Sequence, residues 1–243
     1  MKYHKIVEGQ FLARPNRFIA EVLLNGEVVK CHVKNTGRCK ELLTPNAKVI
    51  LTDHIDNMGS RKLRYSLIGV YKERKDGLSL INMDSQVPNA VVVEALKESK
   101  LILPNMGKLV EIRREVKFGD SRFDIQVIDD QGKIGFVEVK GVTLEHDGIV
   151  KFPDAPTERG IKHVKELAKA KEIGYNAYVV FVVQMDQVKY MTPNYDTHPE
   201  FGIALAEARA KGVEIIGFQC VVKADTIEFD KYVEVFLKKD IDI

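Results

Sequence analysis

The sequence predicts an α/β (α+β) protein made of two modules. A small β-barrel spans residues 1–83, and an αβββαβ unit with a mixed central sheet spans residues 84–243. Three observations point there. Short alternating runs with turn signals fill the first module. Helical stripes and apolar strands follow one another in the second. Formal charge divides at the same place: 15 Lys+Arg against 8 Asp+Glu before residue 84, and 22 against 27 from residue 84 on. The basic module is the one a polyanion would attract.

In the first module, residues 4–13 and 18–24 read as strands around the turn Arg14-Pro15-Asn16-Arg17. Asn25-Gly26 marks a two-residue hairpin into Glu27–Val33. A polar stretch, Lys34-Asn35-Thr36-Gly37-Arg38, precedes the break at Pro45. Lys48–Thr52, Arg64–Lys72 and Leu78–Asn82 are three further strands. A closed or half-closed barrel of this size suggests an OB-like nucleic-acid platform. Arg14, Arg17, Asn35 and Arg38 lie on its loops, where arginines reach phosphates. Ordinary exposed loop residues are the alternative.

Ser85-Gln86-Val87-Pro88 reads as a linker, and Asn89 as the cap of a helix through Ser99. Lys108–Lys117 is a strand. Ser121–Val127 and Ile134–Gly141 form a hairpin around Asp129, Asp130 and Gly132. Phe123, Ile125 and Val127 share one face, which leaves Asp124 on the other, while Glu138 and Lys140 share a face by the two-residue repeat. A loop covers 142–156, and Thr157 caps a helix ending at Gly174 with Ile161, Val164, Leu167, Ala168 and Ile173 on one side. Asn176–Gln184 is a buried strand, Pro199–Lys211 a third helix, and Glu214–Lys223 a last apolar strand.

Asp124, Glu138 and Lys140 form the chemical constellation. Hard cations want carboxylate oxygens, and Mg²⁺ is usually held by one or two carboxylates. The competing reading is a surface ion pair of ~0–1 kcal/mol. Against it, the VEVK run has the β-branched composition of an interior strand, where ionisable groups are costly. Cys31, Cys39 and Cys220 are unpatterned, which fits a reducing cytoplasm and gives no zinc site with His32. No apolar run approaches a membrane span.

The order αβββαβ, with acids on its second and third strands, resembles the PD-(D/E)XK nuclease superfamily and its restriction-endonuclease-like core. Asp124 matches the first acid and Glu138-Val139-Lys140 the E-x-K, although Phe123 stands where Pro would precede the acid. The whole chain resembles the sugar fermentation stimulation protein A (SfsA) family. The likeness rests on RPNRF (14–18), CHVKNTGR (31–38), SRFD (121–124), VEVKGVTL (137–144) and FPDAPTERGIKHVKEL (152–167). It implies a DNA-binding protein with an OB-like front and a nuclease-like rear.

On that resemblance, Asp124, Glu138 and the Val139 carbonyl would hold Mg²⁺ or Mn²⁺. Glu94 is the candidate extra acid on the first helix, and Glu115 a further acid. Lys140 would act on water or the phosphorane, and Arg159 and His163, four residues apart on one helix face, would reach the phosphate. A divalent-metal-dependent nuclease therefore competes with a non-catalytic DNA-binding regulator of sugar catabolism genes, and with an RNA-binding or RNA-processing protein. DNA, single-stranded DNA or RNA is the expected partner, with monomer and homodimer both open.

Overall fold

A computed structural model describes residues 1–35, 37–75 and 77–237. Thr36 of the predicted polar stretch, Asp76 and residues 238–243 lie outside the described residues. Strands β1 (Ile6–Asn16), β2 (Ile19–Leu24) and β3 (Glu27–Val33) form an antiparallel meander. Its turns use the residues the sequence marks. Asn16 Oδ1 accepts from the backbone N–H of Phe18 (2.9 Å) and Ile19 (3.1 Å). Asn25 and Gly26 take φ of 51° and 86°, as a two-residue hairpin of this twist demands.

Strands β4 (Lys48–Asp53), β5 (Tyr65–Arg74) and β6 (Gly77–Asn82) complete a sheet ordered β3-β2-β1-β4-β5-β6. Strand β3 also pairs with β5 in parallel, which closes the barrel. Phe11, Val22, Cys31, Val49, Leu51 and Leu67 are buried within one hydrophobic cluster.

The rear module begins with α1 (Val87–Lys97), then β7 (Leu109–Phe118), β8 (Ser121–Asp129) and β9 (Ile134–Val142). Helix α1 starts earlier than Asn89: Pro occupies its first turn and Gln86 is the N-cap, because proline's fixed φ suits that turn. Where the sequence suggests a loop, a hairpin stands: β10 (Leu144–His146) and β11 (Ile149–Phe152). Gly148 (φ 82°) supplies its turn, and its strands are too short to show a period.

Helix α2 (Glu158–Glu172) follows, capped by Thr157, whose hydroxyl accepts from Gly160 N–H (3.0 Å). The rest is β12 (Asn176–Val183), β13 (Tyr190–Pro193), α3 (Pro199–Ala210), β14 (Glu214–Val222) and β15 (Ile227–Val233). Ile173, expected on the buried stripe of α2, is 68% exposed, because the helix stops at Glu172 and Gly174 (φ 99°) turns the chain away.

The six-stranded sheet runs β15-β14-β12-β9-β8-β7, with β9, β12 and β14 parallel and the outer strands antiparallel. Alternate residues of β12 go to opposite faces. Tyr178, Val180 and Val182 join the cluster that holds α1, and Val179, Phe181 and Val183 join the one that holds α2. The sheet is therefore sandwiched between α1 and α2.

The predicted linker is a packed segment instead of a loose tether. Asn82, Asp84 and Val87 are buried. Gln184 Nε2 donates to Asn82 O (3.1 Å), Asn82 Oδ1 (3.0 Å) and Asp84 O (3.1 Å). Ile50 and Ile68 of the barrel share a cluster with Val87, Val91 and Val92 of α1. The first residues also cross to the rear module: Tyr3 N–H donates to Asp225 O (2.7 Å), and Ile227 N–H donates to Met1 O (3.0 Å).

Candidate active site

Strands β8 and β9 pair from Ile128↔Ile134 to Ile125↔Val137 and then part. Beyond that point β8 keeps only β7 as a partner, through Phe123↔Val116 and Arg122↔Lys117. The alternation of β8 breaks there as well. Ile125 and Val127 belong to the cluster of α1. Phe123 turns to the other side, stacked on Phe118 (5.5 Å) and tilted against Phe136 (5.2 Å). The expectation that Phe123, Ile125 and Val127 line one face is thereby corrected. Opposite the break, Glu115 of β7 takes a left-handed φ of 57°.

Asp124 sits at the parting. Its Oδ2 accepts the Val139 N–H (2.8 Å), and Oδ1 accepts from Asn89 Nδ2 (3.0 Å). The carboxylate thus bridges the gap between the diverging strands. Burial, and then the negative charge of Glu138, push its pKa up, against the two hydrogen bonds it accepts.

Glu138 is 2% exposed. Its Oε1 accepts from Lys140 Nζ (2.6 Å) and contacts His163 Nδ1 of α2. Burial works to raise its pKa, but the His163 hydrogen bond and the Lys140 charge outweigh it and hold the carboxyl below its ordinary value. Its second oxygen, Oε2, is buried with no hydrogen-bond partner among the described residues. A buried carboxylate oxygen without a partner is costly, and it is the acceptor a cation would satisfy.

The structure thus brings Asp124, Glu138, Val139 and Lys140 together. Glu94 is elsewhere: it is exposed and paired with the Met1 amino group. Asn89, five residues earlier on α1, occupies the position the resemblance gives to Glu94. Five residues turn a helix by about 140°, so both cannot face the site. Glu115 is exposed beside Arg122 (3.9 Å). No cluster of three His, Cys, Asp or Glu side chains with metal-holding geometry occurs among the described residues. A hard cation here would rely on two carboxylates, a backbone carbonyl and water, a set Mg²⁺ accepts.

The expected nucleic-acid contacts sort into two kinds. Arg17 and Arg38 are exposed, and Arg17 lies over the Phe18 ring (5.8 Å). Arg159 is exposed too and donates from Nε to His163 Nε2 (3.4 Å). The others are occupied internally. Arg14 donates to the carbonyls of Gly37 (2.8 Å), Arg38 (2.7 Å), Arg17 (2.7 Å) and Asn35 (2.7 Å). Asn35 donates to Met83 O (3.1 Å) and accepts from Gly37 N–H (2.8 Å). His163 is buried against Glu138.

Comparison with known proteins agrees with this architecture. The model described as the sugar fermentation stimulation protein RE domain matches residues 86–226. The SfsA N-terminal OB domain matches residues 12–81. A sugar fermentation stimulation protein homolog of Clostridium beijerinckii is 51% identical over 237 residues, 98% of this chain and 100% of its own. A homolog of Desulfitobacterium hafniense is 52% identical over 237 residues, covering 98% and 99%. The solved structure of Pyrococcus furiosus SfsA in complex with Ca²⁺ matches with a TM-score of 0.84 at 26% identity, over 97% of this chain and 98% of that one. With both of its modules matched in order and close relatives along nearly its full length, the chain belongs to the sugar fermentation stimulation protein family.

Proposed function

We propose that this protein binds DNA and hydrolyses a phosphodiester bond at Asp124, Glu138 and Lys140 with a divalent cation. The buried, unpartnered Oε2 of Glu138 supports this reading most directly. A purely structural ion pair would have no reason to leave it unsatisfied. Asp124, Glu138 and the Val139 carbonyl would hold Mg²⁺ or Mn²⁺. When bound, such a cation supplies Lewis-acid stabilisation of phosphorane charge and a water of lowered pKa. Ca²⁺ in the Pyrococcus furiosus relative fits the same ligand chemistry.

The chain's own residues would then divide the work. Lys140 spends one N–H on Glu138 Oε1, which leaves two donors for the attacking water or a phosphate oxygen. His163 holds Glu138 from α2, and Asn89 holds Asp124 from α1, so both acids are fixed from opposite faces of the sheet. Arg17, Arg38 and Arg159 would carry the phosphate backbone. The division into units 1–83 and 84–243 gives one basic and one catalytic part.

Purified protein should cleave plasmid, linear or single-stranded DNA with Mg²⁺ or Mn²⁺ and not with EDTA. Lys140→Ala should abolish cleavage while keeping DNA affinity within about tenfold. No cleavage of any nucleic acid under any of these conditions would leave only a DNA-binding role for the same surface.

A further inference from the structure

A small cavity of about 100 Å³ lies at the seam of the two modules, at the end of β9 that follows Lys140. Asn35 comes from the barrel, and Ser85, Gly141, Lys151, Phe152, Asp154 and Gln184 come from the rear module. Gly141 follows Lys140 directly on β9, so their Cα atoms lie about 3.8 Å apart although their side-chain directions are opposite. Its volume is several times what one water needs, yet far below the 300 Å³ and more of a drug-sized pocket.

Beside the donors Thr143 and Lys151, the latter paired with Asp196 (3.1 Å), the walls offer two acceptors. Gln184 commits Nε2 to Asn82 and Asp84, and its Oε1 lies against Gly141, where an added Cβ would come within 2.4 Å of it. Asp154, itself exposed, sets Oδ2 against Gly37, where an added Cβ would come within 2.4 Å. No hydrogen bond or ion pair engages its carboxylate among the described residues. The Phe152 ring, half-buried against Phe181 (5.7 Å) and Phe201 (5.2 Å), adds an apolar surface. Two acceptors and an aromatic surface in a narrow slot match a planar heterocycle carrying an amino group.

The surroundings supply the backbone contacts. Arg14 ties Arg17, Asn35, Gly37 and Arg38 into one cradle, so two exposed arginines stand on the loops that also deliver Asn35 to the cavity wall. We propose that this cavity receives one unstacked, amino-bearing nucleobase of the bound strand, next to the phosphate engaged at Lys140. The inference rests on the nucleic-acid reading above and narrows its substrate to strands with an unpaired nucleotide at that position.

The test is binding of the full chain in EDTA, so that cleavage does not enter. A single-stranded oligonucleotide of cytosines is scanned with one abasic site per position. One position should weaken binding about tenfold, and a thymine there should weaken it similarly, since thymine presents no amino group. Asp154→Ala should lose about the same factor on the intact strand and no more on the abasic one, which is the coupling expected of a direct contact. Melting temperature checks that Asp154→Ala is folded, and Asp154→Asn, which keeps the shape, should lose affinity in the same direction. Binding indifferent to base removal at every position would overturn the cavity assignment alone. So would equal loss in Asp154→Ala on intact and abasic strands. Failure to bind any nucleic acid would overturn both this and the reading it rests on.

Discussion

Asp124 and Glu138 are two buried carboxyls whose environments push them apart. Asp124 is driven up by burial and by Glu138, whereas Glu138 is held down by His163 and Lys140 in spite of its burial. The sign for stability follows from linkage. A carboxyl with a raised folded pKa costs stability above that pKa, and the cost fades as pH falls through it. A carboxyl with a lowered folded pKa contributes stability above its unfolded pKa, and loses it as pH falls through the folded one.

Without metal, Asp124→Asn should therefore melt at or above wild type at neutral pH, with wild type closing the gap in acid. Glu138→Gln should melt below wild type at neutral pH, with the difference shrinking in acid. Melting curves from about pH 3 to 8 check both, and the same direction for both variants would refute the assignment. The residue types of this site were legible in the sequence, because the β-branched VEVK run left its acids conspicuous. Asn89 was missed because it reads as the helix cap; Pro88 was the signal that puts it inside the first turn.

At the scale of elements, the two loops of the barrel that carry Arg17 and Arg38 are held together by a single guanidinium. Arg14 makes four hydrogen bonds to them from its two terminal nitrogens. Lysine keeps the charge and loses the planar fork. Arg14→Lys should thus weaken DNA binding by loosening both loops, without flattening the salt dependence of the affinity. Arg17→Ala with Arg38→Ala should flatten it, by ~0.7–0.9 in the slope of log K against log[salt] for each phosphate no longer neutralised. Titrations at several salt concentrations separate the two, and equal slopes in all three proteins would reject the division of roles. A sequence shows arginines on loops but not whether a guanidinium faces water or a neighbouring carbonyl. Strand and helix existence was legible in the same segments, since their periods run over many residues. Hairpin β10–β11 was not, because three and four residues carry no period.

At the scale of the molecule, the charge division and the two barrel-and-sheet modules were visible from composition and order. The seam was not, because its contacts join residues far apart in the chain. Ile50, Ile68 and Tyr3 pack with Val87, Val91 and Val92 of α1, and the chain start lies along the β14–β15 turn. Calorimetry of the full chain should therefore show one unfolding transition, with calorimetric and van't Hoff enthalpies in agreement. Residues 84–243 alone, stripped of those partners, should melt lower and expose an apolar patch that binds a hydrophobic dye. Two resolved transitions, or a fragment as stable as the whole, would show that the modules are thermodynamically independent.

The hydrogen bond from Val139 to Asp124 has a use beyond architecture. A backbone amide that donates straight to a titratable side chain is a resonance tied to that side chain's charge. Its nitrogen-15 signal would move when Asp124 gains a proton or a cation, while Val22, buried in the barrel on β2, stays still as an internal reference. One isotope-labelled valine would thus register site occupancy spectroscopically, with no nucleic acid present and no turnover required.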